Sequence, residues 1–329
     1  MVGRRKSGEF DLIERVFRPL SRAAPGAFAL GNDGALLTPP AGASLVVTKD
    51  VMVAGVHYPE GEDPATVARR LLRVNLSDLA AMGAEASSYA LGLALPEDAD
   101  DAWVQAFAAG LARDQEAFGV ALVGGDTVAA RGPAVLSLTA FGWVAGEACL
   151  TRAGAGEGDD IYVSGTIGDA ALGLRAVQGD LPALAAEDRA ALAARFRLPE
   201  PRLALGAALI GIATCAIDVS DGLVADLGHI CEESGVAARV TAGAVPFSEP
   251  ARRALAAGEA AVADLVSGGD DYELLFCAAP SARAVIEALG QRLDLPLTRI
   301  GIVEPGAGAT ILGADGEPLA LHRAGYTHF

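Results

Sequence analysis

The sequence has little basic charge. Its 329 residues include 25 lysines and arginines against 42 aspartates and glutamates, a net charge of −17. A chain this acidic lacks the basic surface that binds nucleic acid non-specifically, and anionic lipid would repel it. An anionic substrate would require a local change of sign, and a bound divalent cation is the usual means. The composition therefore argues against nucleic-acid and membrane partners.

Cysteine and long apolar runs are also scarce. The four cysteines are Cys149, Cys215, Cys231 and Cys277. Their wide spacing argues against a zinc site or a disulfide framework and predicts buried thiols in a reducing compartment. The longest uncharged stretches, residues 132–146 and 203–217, have 15 residues each, whereas a membrane-spanning helix needs about 20. No apolar segment follows the N-terminal basic residues, so we expect no secretory signal and a cytoplasmic protein.

Strand-like and helix-like segments alternate along the chain, which predicts an α/β or α+β fold. The length suggests two domains, 1–150 and 151–329, with the Gly- and acid-rich residues 153–160 as the linker. Predicted strands cover 44–48, 120–123, 135–141, 161–164, 215–217 and 272–277, and predicted helices cover 63–82, 103–118 and 203–212 and begin near 169 and 220. Asp63, Pro64 and Gly83 are the expected start and stop signals of the first of these helices.

Aspartates recur where an apolar run ends. They stand in Thr48-Lys49-Asp50, Gly124-Gly125-Asp126-Thr127, Asp218-Val219-Ser220-Asp221-Gly222 and Gly268-Gly269-Asp270-Asp271, and Asp33 stands in Gly31-Asn32-Asp33-Gly34. A carboxylate at a strand end points into the loop layer, where ligands bind in α/β folds. Each motif alone also fits a turn or a helix cap, and Asp78, three residues after Asn75, also fits a solvated helix face. The number of such loops in one chain favours a function.

Converging carboxylates would require cations, because two unit charges about 4 Å apart repel by roughly 4 kcal/mol at an effective dielectric constant of 20. A set of oxygen donors without Cys or His partners indicates Mg²⁺ and a phosphorylated substrate. The sequence has no GxxxxGK[ST], HRD or DFG motif, which excludes P-loop and protein-kinase folds. The turn Ser164–Asp169 offers backbone N–H groups to an anion, although a plain tight turn fits equally well.

Several motifs together resemble the thiamine-monophosphate kinase family, within the superfamily of aminoimidazole-ribonucleotide synthetase. They are Gly8–Ile13, Val53–Tyr58, Val74–Ala84, Gly124–Thr127, Ile217–Leu223, Ser267–Leu274 and Gly325–Phe329. The resemblance implies transfer of a phosphoryl group from ATP to thiamine monophosphate, directly and in line. It also implies an N-terminal ATP- and Mg²⁺-binding domain that forms a dimer barrel with its twin, and a C-terminal domain that completes the site.

The resemblance further implies roles for individual residues. The implied Mg²⁺ ligands are Asp33, Thr48, Asp50, Asp78, Asp126, Asp218 and Asp221. Contacts to ATP are implied for Gly125, Asp126, Arg152 and Ser220, with Asp126, Arg152 and Asp218 as the catalytic set. Contacts to thiamine monophosphate are implied for His57, Asp270 and Tyr326.

Three positions depart from the family pattern. Lys49 stands where a metal-contacting Thr is usual, so its ammonium is expected to replace one ion. Asn32 replaces an acidic residue, and Asp270 is one methylene shorter than the usual Glu, so its substrate contact would pass through water. Two alternatives remain open: another ATP-dependent enzyme of the superfamily, and a non-catalytic nucleotide-binding homologue.

Overall fold

The computed structural model describes residues 8–321 and residue 325, and it divides the chain into two compact units. The N-terminal unit comprises the residues up to Leu79 together with Ala84–Glu147. The C-terminal unit comprises Ala80–Gly83 and the residues from Ala148 onward. Among the described residues, no helix is long and apolar enough to cross a membrane.

The N-terminal unit is built on a four-stranded sheet in the order β1-β4-β2-β3. Its strands and main helices are β1 (Ala43–Val53), α2 (Pro64–Ala81), β2 (Glu85–Pro96), α3 (Asp101–Phe118), β3 (Ala121–Ala130) and β4 (Val135–Ala145), and a short α1 (Glu9–Leu12) precedes them. Strands β2 and β3 are parallel, whereas β4 pairs antiparallel with both β1 and β2. Because β4 lies between β1 and β2, the two edges of the sheet are β1 and β3.

The ends of α2 and α3 follow their sequence signals. The Asp63 carboxylate accepts a 2.9 Å hydrogen bond from the Thr66 N–H, and the Asp100 carboxylate accepts one of 3.0 Å from the Trp103 N–H. Each carboxylate satisfies a backbone donor that the first helical turn leaves unpaired. The expected start of α2 is therefore confirmed.

A buried ion pair fixes α2 against α3. Asp114 on α3, 1% exposed, accepts hydrogen bonds from Arg69 at 2.9 Å and from Arg73 at 2.6 Å, both on α2. The Arg73 guanidinium also lies over the Phe118 ring, 5.1 Å from its centroid. Since a half-broken buried pair leaves an uncompensated charge, this arrangement holds α2 in one position along α3.

The C-terminal unit contains a six-stranded sheet in the order β10-β7-β9-β5-β8-β6. Its strands are β5 (Asp160–Ser164), β6 (Cys215–Asp218), β7 (Ala237–Thr241), β8 (Leu274–Ala278), β9 (Leu297–Glu304) and β10 (Gly308–Leu312). Its helices are α4 (Asp169–Val177), α5 (Ala186–Arg197), α6 (Leu203–Leu209), α7 (Leu223–Ser234), α8 (Glu249–Ala256), α9 (Val262–Ser267) and α10 (Arg283–Leu293). The central strands β5 and β8 and the edge strand β6 are buried along their whole length, which explains their mostly apolar sequences.

Two strands of the N-terminal unit are longer than the sequence predicted. Strand β1 continues past Asp50 to Val53, and β3 continues through Gly124–Thr127 to Ala130. The prediction that Asp50 and Asp126 occupy loops after their strands is therefore wrong, since both lie within strands. The glycine pair looked like a turn, but β2 pairs with it in parallel along its length.

The predicted burial of the cysteines holds for three of the four. Cys215, Cys231 and Cys277 are buried, Cys149 is partly buried, and all four thiols are free. Cys215 and Cys277 are direct neighbours across β6 and β8. The three buried thiols thus contribute to the core of the C-terminal unit.

Candidate active-site residues

The structure brings together Thr48, Asp50, Asn75 and Asp78, which β1 and α2 supply. The Thr48 hydroxyl donates a hydrogen bond to the Asp78 carboxylate. The Asn75 amide oxygen accepts a 3.1 Å hydrogen bond from the Asp50 N–H, while its amide nitrogen donates to the Leu71 carbonyl at 2.8 Å. Asn75 is fully buried, so the solvated-face alternative for this helix is wrong. We call these four residues the β1–α2 acidic set.

The electrostatics of this set suit a cation. Burial, together with repulsion from Asp78, raises the pKa of Asp50 to about 7. The set offers carboxylate and hydroxyl oxygens, the donors that Mg²⁺ prefers. A divalent ion between the two carboxylates would remove the repulsion, so the residues present fit the metal that the sequence implies.

The raised pKa of Asp50 predicts that the stability of the protein depends on pH, and that bound Mg²⁺ counteracts this dependence. A carboxyl whose folded-state pKa is about 7 keeps its proton where the unfolded chain has lost it, so stability falls as pH rises from about 4 to about 7. Without metal, Asp50 should therefore lower stability by about 1–3 kcal/mol between pH 5 and pH 8. The Asp50→Asn variant should be the more thermostable form at pH 8 without metal, and millimolar Mg²⁺ should stabilise it less than the unchanged protein.

Differential scanning calorimetry at pH 5 and pH 8, with Mg²⁺ or with EDTA, measures this effect. Asp98→Asn, an exposed carboxylate in the same unit, is the control and should leave both the pH dependence and the Mg²⁺ response unchanged. An Asp50→Asn protein that is less stable than the unchanged protein at pH 8 in EDTA would contradict the prediction.

Lys49 does not belong to the β1–α2 acidic set. Its ammonium donates a hydrogen bond to the Ser137 hydroxyl on β4. Because side chains alternate along a strand, Lys49 projects from the face of β1 opposite to Thr48 and Asp50. Its ammonium therefore does not enter that set, and the expectation that it replaces a metal ion stays a prediction.

Asp33 and Asp126 line a second site, a cavity of about 370 Å³ within the N-terminal unit. The N-terminal segment contributes Asn32, Asp33 and Gly34 to its wall, and β3 contributes Gly124–Thr127. The Asp126 carboxylate accepts a 2.8 Å hydrogen bond from the Thr127 N–H. A cavity of this size with apolar walls and a few polar groups is typical of a site for a small organic molecule.

Gly125 makes the wall of this cavity possible. A Cβ atom at this position would lie 2.0 Å from the Leu91 carbonyl oxygen of β2. Any side chain would force β3 away from β2, so glycine allows the two strands to remain paired beside Asp126.

The cavity and the β1–α2 acidic set lie at opposite edges of one sheet. Asp50 is in register with Leu138 of β4, Leu138 with Leu91 of β2, and Leu91 with Gly125 of β3. Three strand spacings give about 14 Å between the β1 and β3 backbones in this row. Within the N-terminal unit the expected residues thus form two separate sets.

The C-terminal unit carries a further set on the loop between β6 and α7. Asp218, which is 4% exposed, ends β6, and Ser220 and Asp221 follow it as half-buried residues. Asp226, in the first turn of α7, is 2% exposed, and one of its oxygens accepts hydrogen bonds from three consecutive N–H groups. Burial and the charge of Asp221 raise the pKa of Asp226 to about 7, and its backbone hydrogen bonds act against this rise. Asp221, Asp226 and His229 each place a ligand atom within 4.8 Å of the other two.

The segment Gly268–Tyr272 packs directly against this loop. The Asp270 N–H donates to the Ser220 carbonyl and the Tyr272 N–H to the Val219 carbonyl, both at 2.8 Å. Asp270 and Tyr272 have φ angles of 74° and 52°, a region that non-glycine residues seldom adopt. A Cβ on Gly269 would lie 2.3 Å from the Ser220 carbonyl oxygen, so glycine permits this close approach.

The turn Ser164–Asp169 directs a backbone N–H group at a carboxyl group of the chain itself. Asp271, 1% exposed, accepts hydrogen bonds from the Gly168 N–H at 2.6 Å and the Ala170 N–H at 3.0 Å. Burial raises the pKa of Asp271 to about 8, although both hydrogen bonds favour its charged form. An internal carboxyl group thus takes up the Gly168 amide of the turn and the Ala170 amide that follows it.

Glu273, which directly follows the Gly268–Tyr272 segment, holds the end of that segment in place. Its carboxylate is fully buried and accepts hydrogen bonds from Arg202 at 2.7 Å, Arg195 at 2.8 Å and the Ser164 hydroxyl at 2.6 Å. Its carbonyl also accepts the Val219 N–H at 2.8 Å. One residue therefore connects β8, the loop after β6 and two arginines outside the sheet.

The remaining predicted residues occupy separate places. His57 lies just after β1 and its Nδ1 accepts a 3.0 Å hydrogen bond from the Val53 N–H, which leaves the ring proton of the neutral form on Nε2. Arg152 is exposed, at the start of the C-terminal unit. Tyr326 lies outside the described residues.

Sequence reasoning missed three groups that support the candidate site: Asn75, Asp226 and Asp271. Asn75 shares a helix face with Asp78, so a polar residue in an otherwise apolar stripe was the available signal. Asp226 looked like an ordinary acidic residue in a first helical turn. Asp271 could not be distinguished from its neighbour Asp270, since only the fold shows that one of them is buried.

Comparison with known families assigns both units to one class. Residues 31–144 match the model of the AIR synthase related protein N-terminal domain, and residues 156–313 match that of the C-terminal domain. The fold and the acidic sets thus define a two-domain AIR-synthase-related protein.

Individual relatives narrow the assignment. The thiamine-monophosphate kinase of Escherichia coli strain K12 is 41% identical over 323 residues, covering 98% of each chain. The crystal structure of thiamine-monophosphate kinase from Stenotrophomonas maltophilia K279a is 44% identical with a TM-score of 0.80, covering 88% of this chain and 91% of that one. The structure of AaThiL complexed with AMPPCP and TMP is 29% identical with a TM-score of 0.77, covering 98% and 97%. The chain belongs to the thiamine-monophosphate kinase family.

Proposed function

We propose that this protein transfers the terminal phosphoryl group of ATP to thiamine monophosphate, yielding ADP and thiamine diphosphate. Family membership supports this reaction, as does the relative whose structure contains AMPPCP and TMP. Within the chain itself, the proposal depends most on the β1–α2 acidic set, where burial and a neighbouring carboxylate raise the pKa of Asp50. Such a set is suited to a Mg²⁺ ion that also binds phosphate oxygens.

The reaction requires one bond exchange at phosphorus. The bond between the γ-phosphorus of ATP and its bridging oxygen breaks, while a phosphate oxygen of thiamine monophosphate forms the new bond. The acceptor is already ionised, so no strong general base is needed and positioning dominates catalysis. We infer direct in-line transfer without a phosphorylated protein intermediate.

We propose the following distribution of roles. The Mg²⁺ ligands are Asp33, Thr48, Asp50, Asp78, Asp126, Asp218 and Asp221; ATP contacts Gly125, Asp126, Arg152 and Ser220; thiamine monophosphate contacts His57, Asp270 and Tyr326. Bound Mg²⁺ would neutralise the phosphate charges that otherwise keep donor and acceptor apart. Arg152 would offset charge on the transferring group. Because ATP is the donor, we also propose a cytoplasmic location.

A coupled assay with thiamine monophosphate, ATP and Mg²⁺ tests the proposal. We expect thiamine diphosphate and ADP in equal amounts, and no product when EDTA replaces Mg²⁺. ADP formation only with a different phosphate acceptor would indicate another enzyme of the superfamily. Nucleotide binding without turnover would indicate a non-catalytic homologue.

We also propose that the protein is a homodimer through the open face of its N-terminal sheet. Leu45, Val47 and Val51 share one face of β1 with Lys49, and these three apolar side chains are 43–54% exposed. Leu45 lies opposite Trp143 and Val47 opposite Phe141 on β4, which extends the apolar surface across two strands. An exposed apolar surface of this kind is a usual site of subunit contact, and the family resemblance implies a dimer barrel here.

Sedimentation velocity with Val47→Glu tests the dimer. The unchanged protein should sediment as a dimer, and the variant should be a monomer at micromolar concentration because a carboxylate would replace an apolar side chain opposite Phe141. Val285→Glu is a matched control, since Val285 is 52% exposed on α10 of the C-terminal unit, and it should remain dimeric. A monomeric unchanged protein would refute the proposal.

A further inference from the structure

The loop between β6 and α7 has the backbone geometry of an anion site but presents the side chains of a cation site. The N–H groups of Ser220, Asp221 and Gly222 converge on one Asp226 oxygen, at 3.0, 3.1 and 3.1 Å. Consecutive N–H groups at the start of a helix are a ready-made cradle for phosphate. Here the chain supplies the anion itself, so these amides are not available to a nucleotide.

The same contact determines what the loop exposes. Asp226 is buried, whereas Ser220 and Asp221 are half-buried. The Ser220 hydroxyl and the Asp221 carboxylate are therefore the oxygen groups that the loop leaves accessible. With its amides directed inward at Asp226, the loop can present its hydroxyl and carboxylate side chains outward. Oxygen groups without competing N–H donors favour a cation over an anion.

The carbonyl side of the loop is held as well. The Ser220 carbonyl accepts the Asp270 N–H, and the Val219 carbonyl accepts the Tyr272 N–H, both at 2.8 Å. Asp226 therefore fixes the donors of the loop while the Gly268–Tyr272 segment fixes its acceptors. The loop conformation is determined from both sides before any ligand arrives.

We propose that Asp226 is a positioning residue that makes the Asp218–Gly222 loop a metal-binding loop, by occupying its amide cradle and directing Ser220 and Asp221 toward the cation. In this proposal Asp226 acts by orienting Ser220 and Asp221, although one of its oxygens also lies within 4.8 Å of ligand atoms of Asp221 and His229. The inference builds on the proposed function, in which Asp218 and Asp221 bind Mg²⁺, and it concerns how this chain prepares them.

Two variants of Asp226 test the inference by binding and not by turnover alone. Asp226→Asn keeps an oxygen that can accept the three N–H groups, so with Mn²⁺ as the probe electron paramagnetic resonance should show its affinity within about threefold of the unchanged protein. Asp226→Ala removes that acceptor and should bind Mn²⁺ about 10–100-fold more weakly, as expected when a partner that orients a ligand is lost. In the kinase assay the Mg²⁺ concentration for half-maximal rate should rise, while kcat at saturating Mg²⁺ stays within about threefold of the unchanged protein.

Asp226→Ala should also gain phosphate binding, a property that the removal of a merely structural residue would not produce. Its three freed amides should bind inorganic phosphate, seen as a rise in melting temperature with phosphate that the unchanged protein lacks. Asp159→Ala is the matched control, because Asp159 is 7% exposed in the same unit and accepts the Gly156 N–H at 2.9 Å. That control should lose stability without changing its response to Mn²⁺ or phosphate.

Unchanged Mn²⁺ affinity in Asp226→Ala, an equal loss of affinity in Asp226→Asn and Asp226→Ala, or the same phosphate response in Asp159→Ala would overturn the inference. If the Asp226 variants do not fold, hydrogen exchange on the unchanged protein decides. The three amides should be protected in the absence of any ligand, and exchange at the rate of an open loop would overturn the inference. None of these measurements contains ATP or thiamine monophosphate, apart from the kinetic one, so a failed kinase assay refutes the proposed function without deciding the role of Asp226.

Discussion

Replacing Asp126 by Asn should lower kcat by about a thousandfold or more, while the protein remains folded. An electrostatic contact made in the transition state is commonly worth 10²–10³ in kcat, and the proposed role of Asp126 combines a metal contact with a nucleotide contact. The substitution preserves shape, because an Asn oxygen can still accept the Thr127 N–H that Asp126 accepts at 2.8 Å. The change therefore removes charge and little else.

The measurement is the rate of thiamine diphosphate formation at saturating ATP and Mg²⁺, accompanied by a thermal melt. Asp126 is exposed, so the melting temperature should change by no more than about a degree. Asp98→Asn, another exposed carboxylate of the N-terminal unit, should keep its full rate. Turnover of Asp126→Asn within threefold of the unchanged protein would show that the β3 cavity is not the site of the reaction.

Replacing Glu273 by Ala should destabilise the C-terminal unit by about 3–5 kcal/mol, the usual loss when one partner of a buried ion pair is removed. The substitution leaves Arg195 and Arg202, 26% and 18% exposed, without their shared carboxylate. It also removes the acceptor of the Ser164 hydroxyl. Two guanidinium groups and a hydroxyl would then face a cavity where they cannot be fully hydrated.

Urea unfolding can separate the two units, because both tryptophans, Trp103 and Trp143, belong to the N-terminal unit. In Glu273→Ala, the part of the far-ultraviolet circular dichroism signal that comes from the C-terminal unit should be lost at a lower urea concentration than in the unchanged protein. The transition seen by tryptophan fluorescence should move less. Asp160→Ala is the matched control: Asp160 is also buried between two arginines, but Arg283 and Arg299 are 52% and 53% exposed and can turn to water. Should Asp160→Ala prove the more destabilising of the two, the argument from buried charge would fail.

Sequence reasoning predicted best where a local signal and the fold agree. Helix α2 begins at its Asp63 cap and ends just before Gly83, because capping depends on neighbouring residues alone. The family and the fold class were also recognisable, since long motifs occur in order along the chain. The order of the strands within each sheet was not predicted, because it depends on pairings between distant segments.

The errors have a common physical cause. Gly125 looked like part of a turn, but its lack of a side chain serves the approach of the Leu91 carbonyl from β2. Lys49 directly follows Thr48 in the chain, but the alternation of side chains along β1 turns it to the other face, where it contacts Ser137. In each case the decisive neighbour lies about 35 to 90 residues away, and no local pattern can reveal it.

Strand β1 has consequences for the kind of sequence change this chain can accept. Eleven consecutive residues pair with β4 without a bulge, and the two faces carry unrelated chemistry: Thr48 and Asp50 on one, Leu45 and Val47 on the other. A one-residue insertion near the start of this strand would exchange the faces, so aliphatic groups would confront Asp78 while carboxylate and hydroxyl would enter the apolar surface. Lengthening the turn at Asp98 would disturb neither face. Insertions and deletions among related sequences should therefore occur in such turns and be absent from β1.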